Sequence, residues 1–396
     1  MIKKFLNHNY FFIFGWGYYL FIPPILGGFD HFHDYPGFYE WYVDFYKLNF
    51  SLLFEYYLVI FSLLIFFMLG SFFGGGLRLK IYFPVVKYNK MSIFILGNLS
   101  LFIVFYLIWN SDVFLFSGYE FYNSDFLGKI ATIFIVSCFL SLYFLEKNIG
   151  KVTMLPIFAS LSICSVVMIG LGARMYVLLL IISFAMYYLK YKNIVFNMKY
   201  IIFMLLMFFL ILMIGVVRVG LDLNFENLMY ILFAEPMFTW WSAQTYIYSN
   251  DIISLAANPD GYITSFYNFI PSYIFENKSE FIISISEYAN FSSPLGATSL
   301  IVSLLGNFGI LFSMVFIFFI GFYFSQVNNY SYKSSFIRIY YILICSLLPF
   351  QFFRDGFEIL NKQIYWNMLI TPMFILMCVY LLSFMLNFLK IGKDSS

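Results

Sequence analysis

Charge is what this chain has least of. Only 11% of its 396 residues are Asp, Glu, Lys or Arg, under half of the roughly 25% that a soluble domain uses. Histidine is nearly missing, with three copies, and Cys138, Cys164, Cys345 and Cys378 each lie singly inside an apolar run. Without a CxxC pair or a Cys/His cluster, neither a disulfide framework nor a structural zinc is indicated. The sequence also has no GxxxxGK[ST] and no GxGxxG, which argues against an ATP-driven pump or a dinucleotide enzyme. No DxD pair occurs, and that speaks against a metal-dependent sugar-nucleotide transferase. With a net charge of +2 and no basic patch, nucleic acid is not an expected partner.

Apolar and aromatic mass is abundant. Sixty-two per cent of the chain is hydrophobic, and 56 Phe, 34 Tyr and 6 Trp outnumber all charged residues together. Such a composition cannot cover a water-facing surface, so the fold class expected is an all-α, polytopic membrane bundle. Apolar runs of spanning length fall near Tyr10–Leu26, Phe50–Leu69, Met91–Trp109, Leu127–Phe144 and Val152–Gly170. Five more lie near Met175–Leu189, Tyr200–Val217, Gly309–Ser325, Ile339–Phe353 and Tyr365–Leu386. That predicts about ten helices in a single transmembrane domain. Met1-Ile2-Lys3-Lys4 ahead of the first run, with no small-residue cleavage site, reads as an uncleaved signal anchor.

The charges orient this layout. If the N-terminus is cytoplasmic, the inner segments hold 15 of the 22 basic residues and only two acids, Glu146 and Asp394. The outer segments keep 7 basic and 18 acidic residues. This Lys/Arg asymmetry is the positive-inside signature and predicts cytoplasmic termini in a cell membrane. Residues 218–294 then form a 77-residue outer loop, long enough to signal function and too aromatic to be disordered. Its part Leu228–Tyr248 predicts an interfacial or re-entrant helix. The long apolar stretch Thr298–Ser325 is interrupted by Gly306-Asn307-Phe308-Gly309, which predicts a short helix, a glycine break and then a span.

Few residues can carry chemistry. His31 and His33, flanked by Asp30 and Asp34, form the one metal-like cluster, and a solvated loop explains them as well. Three arginines stand at outer span ends: Arg174 in Gly170-Leu-Gly-Ala-Arg174, Arg218 in Val216-Val-Arg-Val-Gly220, and Arg354 in Gln351-Phe-Phe-Arg-Asp-Gly356. Each alone can be a head-group anchor. Three on an otherwise negative face suggest a shared anionic ligand, because a guanidinium takes phosphate bidentately. The acids near them are Glu226, Glu235, Asp355 and Glu358. Glu235 lies in an apolar stretch beside Pro236, where a carboxylate is costly unless used or paired, for instance with Arg218. Glu235 and Asp355 are therefore the candidate bases. Glu55, early in the second run, has no second group marking its surroundings.

Gly170-Leu-Gly-Ala-Arg174 before a hydrophobic span resembles the Gly-[Ser/Ala]-Arg element of Wzy-type O-antigen polymerases, the oligosaccharide repeat unit polymerases. Arg218 at a second outer span end, the long outer loop and Pro294-Leu-Gly-Ala-Thr-Ser-Leu-Ile-Val-Ser-Leu-Leu-Gly-Asn-Phe-Gly309 are similar to that family too. The resemblance covers roughly residues 150–370. One departure is plain: many members carry an acid shortly before Asn-Phe-Gly, whereas this chain has Val302-Ser303-Leu304. The resemblance implies glycosyl transfer between undecaprenyl-pyrophosphate-linked oligosaccharides at the periplasmic face of the bacterial inner membrane. It implies no metal or nucleotide cofactor, binding of the pyrophosphate by Arg174, Arg218 and Arg354, and a chain-length regulator as a protein partner. Two other readings share the architecture. An O-antigen ligase usually carries a histidine in its large loop, and none lies between Arg218 and Pro294. A lipid-linked oligosaccharide flippase is expected to hold charges within its spans and to lack so long an outer segment.

Overall fold

A computed structural model describes residues 5–27, 50–76, 88–111, 115–116, 124–192, 198–250, 257–270, 274–275, 277–285, 289–292, 296 and 298–394. Among them there are helices and no strands. Seven helices are long and apolar enough to cross a membrane: Leu53–Gly76, Lys90–Trp109, Asp125–Glu146, Lys151–Gly170, Arg174–Tyr191, Leu300–Ser331 and Phe357–Asn387. Two shorter apolar helices, Leu205–Val219 and Ser335–Leu347, accompany them. This is the build of a multi-pass membrane protein. The first of the ten expected runs coincides with a helix broken by a π turn, and the His31/His33 cluster lies outside the described residues.

The chain divides into two compact units. The first comprises Met1–Arg78, Asp222–Asn329 and Cys345–Lys362; the second comprises Leu79–Leu221, Tyr330–Ile344 and Gln363–Ser396.

In the first unit α1 runs from His8–Trp16 through the π turn Gly17–Phe21 into Ile22–Gly27. Asn7 caps it by accepting from the Asn9 and Tyr10 amides. α1 lies against α2 (Phe50–Gly76), where Trp16 Nε1–H donates to the Ile60 carbonyl at 2.9 Å and the Tyr56 hydroxyl donates to the Leu20 carbonyl at 2.8 Å. Next comes α8 (Phe225–Ser249), capped by Asn224 and buried continuously from Pro236 to Gln244. The predicted helix at Leu228–Tyr248 is thus present, a packed element of its unit. A short helix, α9 (Asp260–Thr264), continues as the 3₁₀ turn Ser265–Phe269.

The long helix α10 (Leu300–Ser331) breaks at Gly309, whose φ of 62° and ψ of −176° suit only glycine. The sequence pattern had placed a break in Gly306–Gly309. Beyond it α10 touches α2 backbone to backbone: a Cβ on Gly70 would meet the Phe318 carbonyl at 1.9 Å, and one on Gly321 the Phe67 carbonyl at 2.2 Å. Small residues permit such approach, the usual basis of helix association in lipid. α12 (Gln351–Arg354) and α13 (Phe357–Asn361) flank an extended pair, Asp355 and Gly356.

The second unit packs α3 (Lys90–Trp109), α4 (Ser124–Glu146), α5 (Lys151–Gly170), α6 (Arg174–Met186, extended by the π turn Tyr187–Tyr191) and α7 (Met198–Val219) with α11 (Ser335–Leu347) and α14 (Thr371–Asp394). At one end Glu146 receives Lys192 at 3.3 Å, Arg338, and the Tyr187 hydroxyl at 3.0 Å. Its neighbour Lys190 holds its ammonium 4.7 Å from the Tyr341 ring centre. α6 begins at Arg174 and runs to this end, so Arg174 stands a helix length away, about 27 Å at 1.5 Å per residue.

Candidate functional site

The Gly170–Arg174 segment folds as the spacing of its glycines demands. α5 ends in a Schellman turn: the Gly172 amide donates to the Ile169 carbonyl at 2.9 Å and the Ala173 amide to the Met168 carbonyl at 2.8 Å. Gly172 takes φ +77°, the left-handed value this turn needs. α7 ends likewise, with Gly220 at φ +76° and its amide on Val217. Both ends are therefore closed by backbone hydrogen bonds.

Arg218, in the last turn of α7, lays its guanidinium over the first turn. A Cβ on Gly172 would fall 1.0 Å from Arg218 Nη1. The two basic segments singled out in the sequence thus meet within the second unit, and Arg174 opens α6 two residues further on. Ala173 gives α6 no side-chain cap, so the partial positive charge of its amides and the Arg174 cation add at one point. An anion is the partner such a point favours. Arg218 alone has a plainer explanation, because a cation in a helix's last turn is favoured by about 0.3–1 kcal/mol.

Arg354 belongs to the first unit and is presented with acids. Its Nη1 lies 3.4 Å from Asp355 Oδ1. Asp355 is 7% exposed, and burial raises its carboxyl above the usual range. Arg354 and a hydrogen bond from Gln351 oppose that rise, while Glu235 adds to it. Glu235, Arg354 and Asp355 all act electrostatically on buried Tyr19 of α1, so both candidate bases and the third arginine gather around one tyrosine.

Pro236 explains why α1 comes to this place. A proline in mid-helix has no N–H for the carbonyl four residues earlier, here that of Leu232. The Tyr18 hydroxyl donates to that carbonyl. The proline leaves a carbonyl, Tyr18 takes it, and the next residue, Tyr19, feels the Glu235 carboxylate electrostatically.

The remaining candidates separate. Glu226 is exposed in the first turn of α8, and Glu55 is exposed on α2. Glu358 follows in α13, where its backbone carbonyl accepts from Asn268 at 3.1 Å. In the Asn-Phe-Gly segment, buried Asn307 accepts from the Tyr262 amide at 2.7 Å and donates to the Ser303 carbonyl at 2.8 Å. It pins the long loop to α10.

Sequence reasoning missed Tyr18 and Tyr19, which nothing distinguishes among 34 tyrosines. It also missed Gln244, fully buried in α8 with neither amide atom hydrogen-bonded. A lone glutamine in an otherwise apolar and aromatic stretch was the available signal.

No protein-family model, no curated protein and no solved structure matches this chain.

Proposed function

We propose that the protein is a glycosyltransferase that joins lipid-linked oligosaccharide repeat units into a surface polysaccharide. The supporting observation is the seating of Arg218 over Gly172 in the turn that delivers Arg174. Two guanidinium groups beside an uncapped helix start suit a pyrophosphate, and the resemblance names an undecaprenyl pyrophosphate. In this reading both termini are cytoplasmic, residues 218–294 face the periplasm, and a chain-length regulator is the protein partner.

The reaction needs few groups. The acceptor hydroxyl oxygen attacks the anomeric carbon of the donor chain, and the bond from that carbon to the pyrophosphate oxygen breaks. The hydroxyl proton passes to a carboxylate, Asp355 or Glu235, and undecaprenyl pyrophosphate leaves as an anion. Base assistance contributes about 10²–10⁴ in rate. Arginines aimed at the leaving oxygens stabilise the charge as it develops. Within the first unit Arg354 touches Asp355, so it sets the charge beside that candidate base.

Deletion of the gene, with the lipopolysaccharide examined on a gel, tests the reading. Loss of a polymerase leaves core carrying one repeat unit. Bare core would point to ligase or flippase, and an unchanged ladder would overturn the proposal.

A further inference from the structure

Three helices of spanning length end at one place in the second unit. Asp125–Glu146 stops there, Arg174–Tyr191 arrives from the arginine turn, and Leu300–Ser331 enters the unit with Tyr330 and Ser331. Four cations gather at these ends: Lys190, Lys192, Lys333 and Arg338. Glu146 takes two of them, Lys192 at 3.3 Å and Arg338. One carboxylate balances only one of the four charges.

Tyrosine rings hold the cations without neutralising them. The Lys190 ammonium lies 4.7 Å from the Tyr341 ring centre, 5.4 Å from that of Tyr191 and 5.9 Å from that of Tyr332. The Arg338 guanidinium shares the Tyr191 ring at 5.2 Å. A ring quadrupole attracts a cation but carries no net charge, so the positive field persists. Ser331 braces the arrangement: its hydroxyl meets the Tyr191 hydroxyl at 3.0 Å, and its carbonyl accepts from Arg338 Nε–H at 3.0 Å. The cluster is open from outside, because Lys192, Tyr332 and Lys333 are exposed.

Its position names the ligand. Apolar helices stop where the hydrocarbon layer gives way to head groups, and tyrosines mark that level. Lysine stems lie along apolar surface and lift their ammonium groups to the same level. The phosphate always present at that depth is a phospholipid's, and an excess of cations selects a lipid with net negative charge. The Arg174 turn stands a helix length away in the same unit, so the two cationic places are separate.

We infer that Lys190, Lys192 and Lys333, braced by Arg338, Tyr191 and Tyr332, form a binding site for the head group of an anionic glycerophospholipid such as phosphatidylglycerol. The lysines donate charge-assisted hydrogen bonds to the phosphate oxygens. Arg338, committed to Glu146 and Ser331, keeps the rings and Lys192 in place.

Native mass spectrometry of the purified full-length protein in detergent tests this, with phosphatidylglycerol, phosphatidylcholine or inorganic phosphate added as probe. Wild type binds its first phosphatidylglycerol about 25-fold or more tighter than phosphatidylcholine. Lys192→Gln and Lys333→Gln each lose about fivefold, the weight of one cation beside an anionic head group, and the double variant loses most of the preference. Lys333→Arg keeps the affinity, and so does Lys129→Gln, which removes an exposed cation near the start of α4. All variants elute as wild type on size exclusion. Equal affinity for the two lipids in wild type overturns the site, as does a preference that survives in the double variant. A loss as large in Lys129→Gln would show a diffuse charge effect with no site. Inorganic phosphate bound as tightly as the lipid would assign the lysines to a free anion and overturn the lipid.

Discussion

Arg218 and Arg354 are held in opposite ways. Arg218 lies over a glycine at a turn closed by backbone hydrogen bonds. Arg354 lies 3.4 Å from a buried carboxyl, in a unit where Glu235 acts on the same group. The first arrangement seats a cation on the backbone of a turn. The second couples a cation to an acid whose protonation responds to it. The proposed transfer asks for both an anchored cation and a proton acceptor, and each unit holds one of the two.

The largest expected effect breaks the first arrangement. Gly172→Ala puts a Cβ where Arg218 Nη1 sits and must displace the guanidinium. Gly220→Ala imposes the same left-handed penalty, about 1–2 kcal/mol, but meets nothing within 4 Å. Gly172→Ala should therefore collapse the polymer ladder as Arg218→Ala does, and Gly220→Ala should keep it, at equal membrane levels by immunoblot. Ladders from both variants would show that the seat of Arg218 has no function.

The second arrangement is sharpened by pH. If Asp355 is the base, the acid limb of the transfer rate lies above the ordinary carboxylate range, because burial raises its carboxyl. Arg354 lowers it, so Arg354→Ala moves the limb further up. Asp355→Asn should then cost about 10²–10⁴ in rate, and Glu235→Gln, which leaves a hydrogen-bond acceptor, far less. An acid limb unmoved by Arg354→Ala assigns the base elsewhere.

The smallest effect concerns stability. Tyr18→Phe leaves the Leu232 carbonyl without the hydroxyl that Pro236 made necessary, a loss of about 1–3 kcal/mol. A lower unfolding temperature in detergent for Tyr18→Phe, with no matching loss for Tyr106→Phe at an exposed position of the second unit, separates this contact from general loosening.

The helices were legible because lipid demands long apolar runs, and the break at Gly309 because glycine interrupts one of them. Glu235 stood out as a carboxylate among apolar residues, and Arg174 through its glycines. What could not be read was convergence. Nothing in 45 intervening positions says that Arg218 lies on Gly172, and nothing between Ser303 and Glu358 says that both stand at Gly356. Tyr19 was hidden by the sheer number of aromatic residues. Where the resemblance expects an acid before Asn-Phe-Gly, the chain offers Ser303, and a carboxylate reaches that neighbourhood from Glu358.

The backbone contact between α2 and α10 also sets an order of events. Gly70 and Gly321 are 251 positions apart, so α2 leaves the ribosome long before its partner exists. Its glycine face must wait against lipid, which offers small residues little. The second unit draws most of its helices from the unbroken stretch Leu79–Leu221 and can pack while synthesis continues. The first unit, assembled from three separate pieces of chain, closes only after α10 and α12 have arrived. A chain cut short after α7 would thus keep the arginine turn and lose every carboxylate of the first unit that depends on late arrivals.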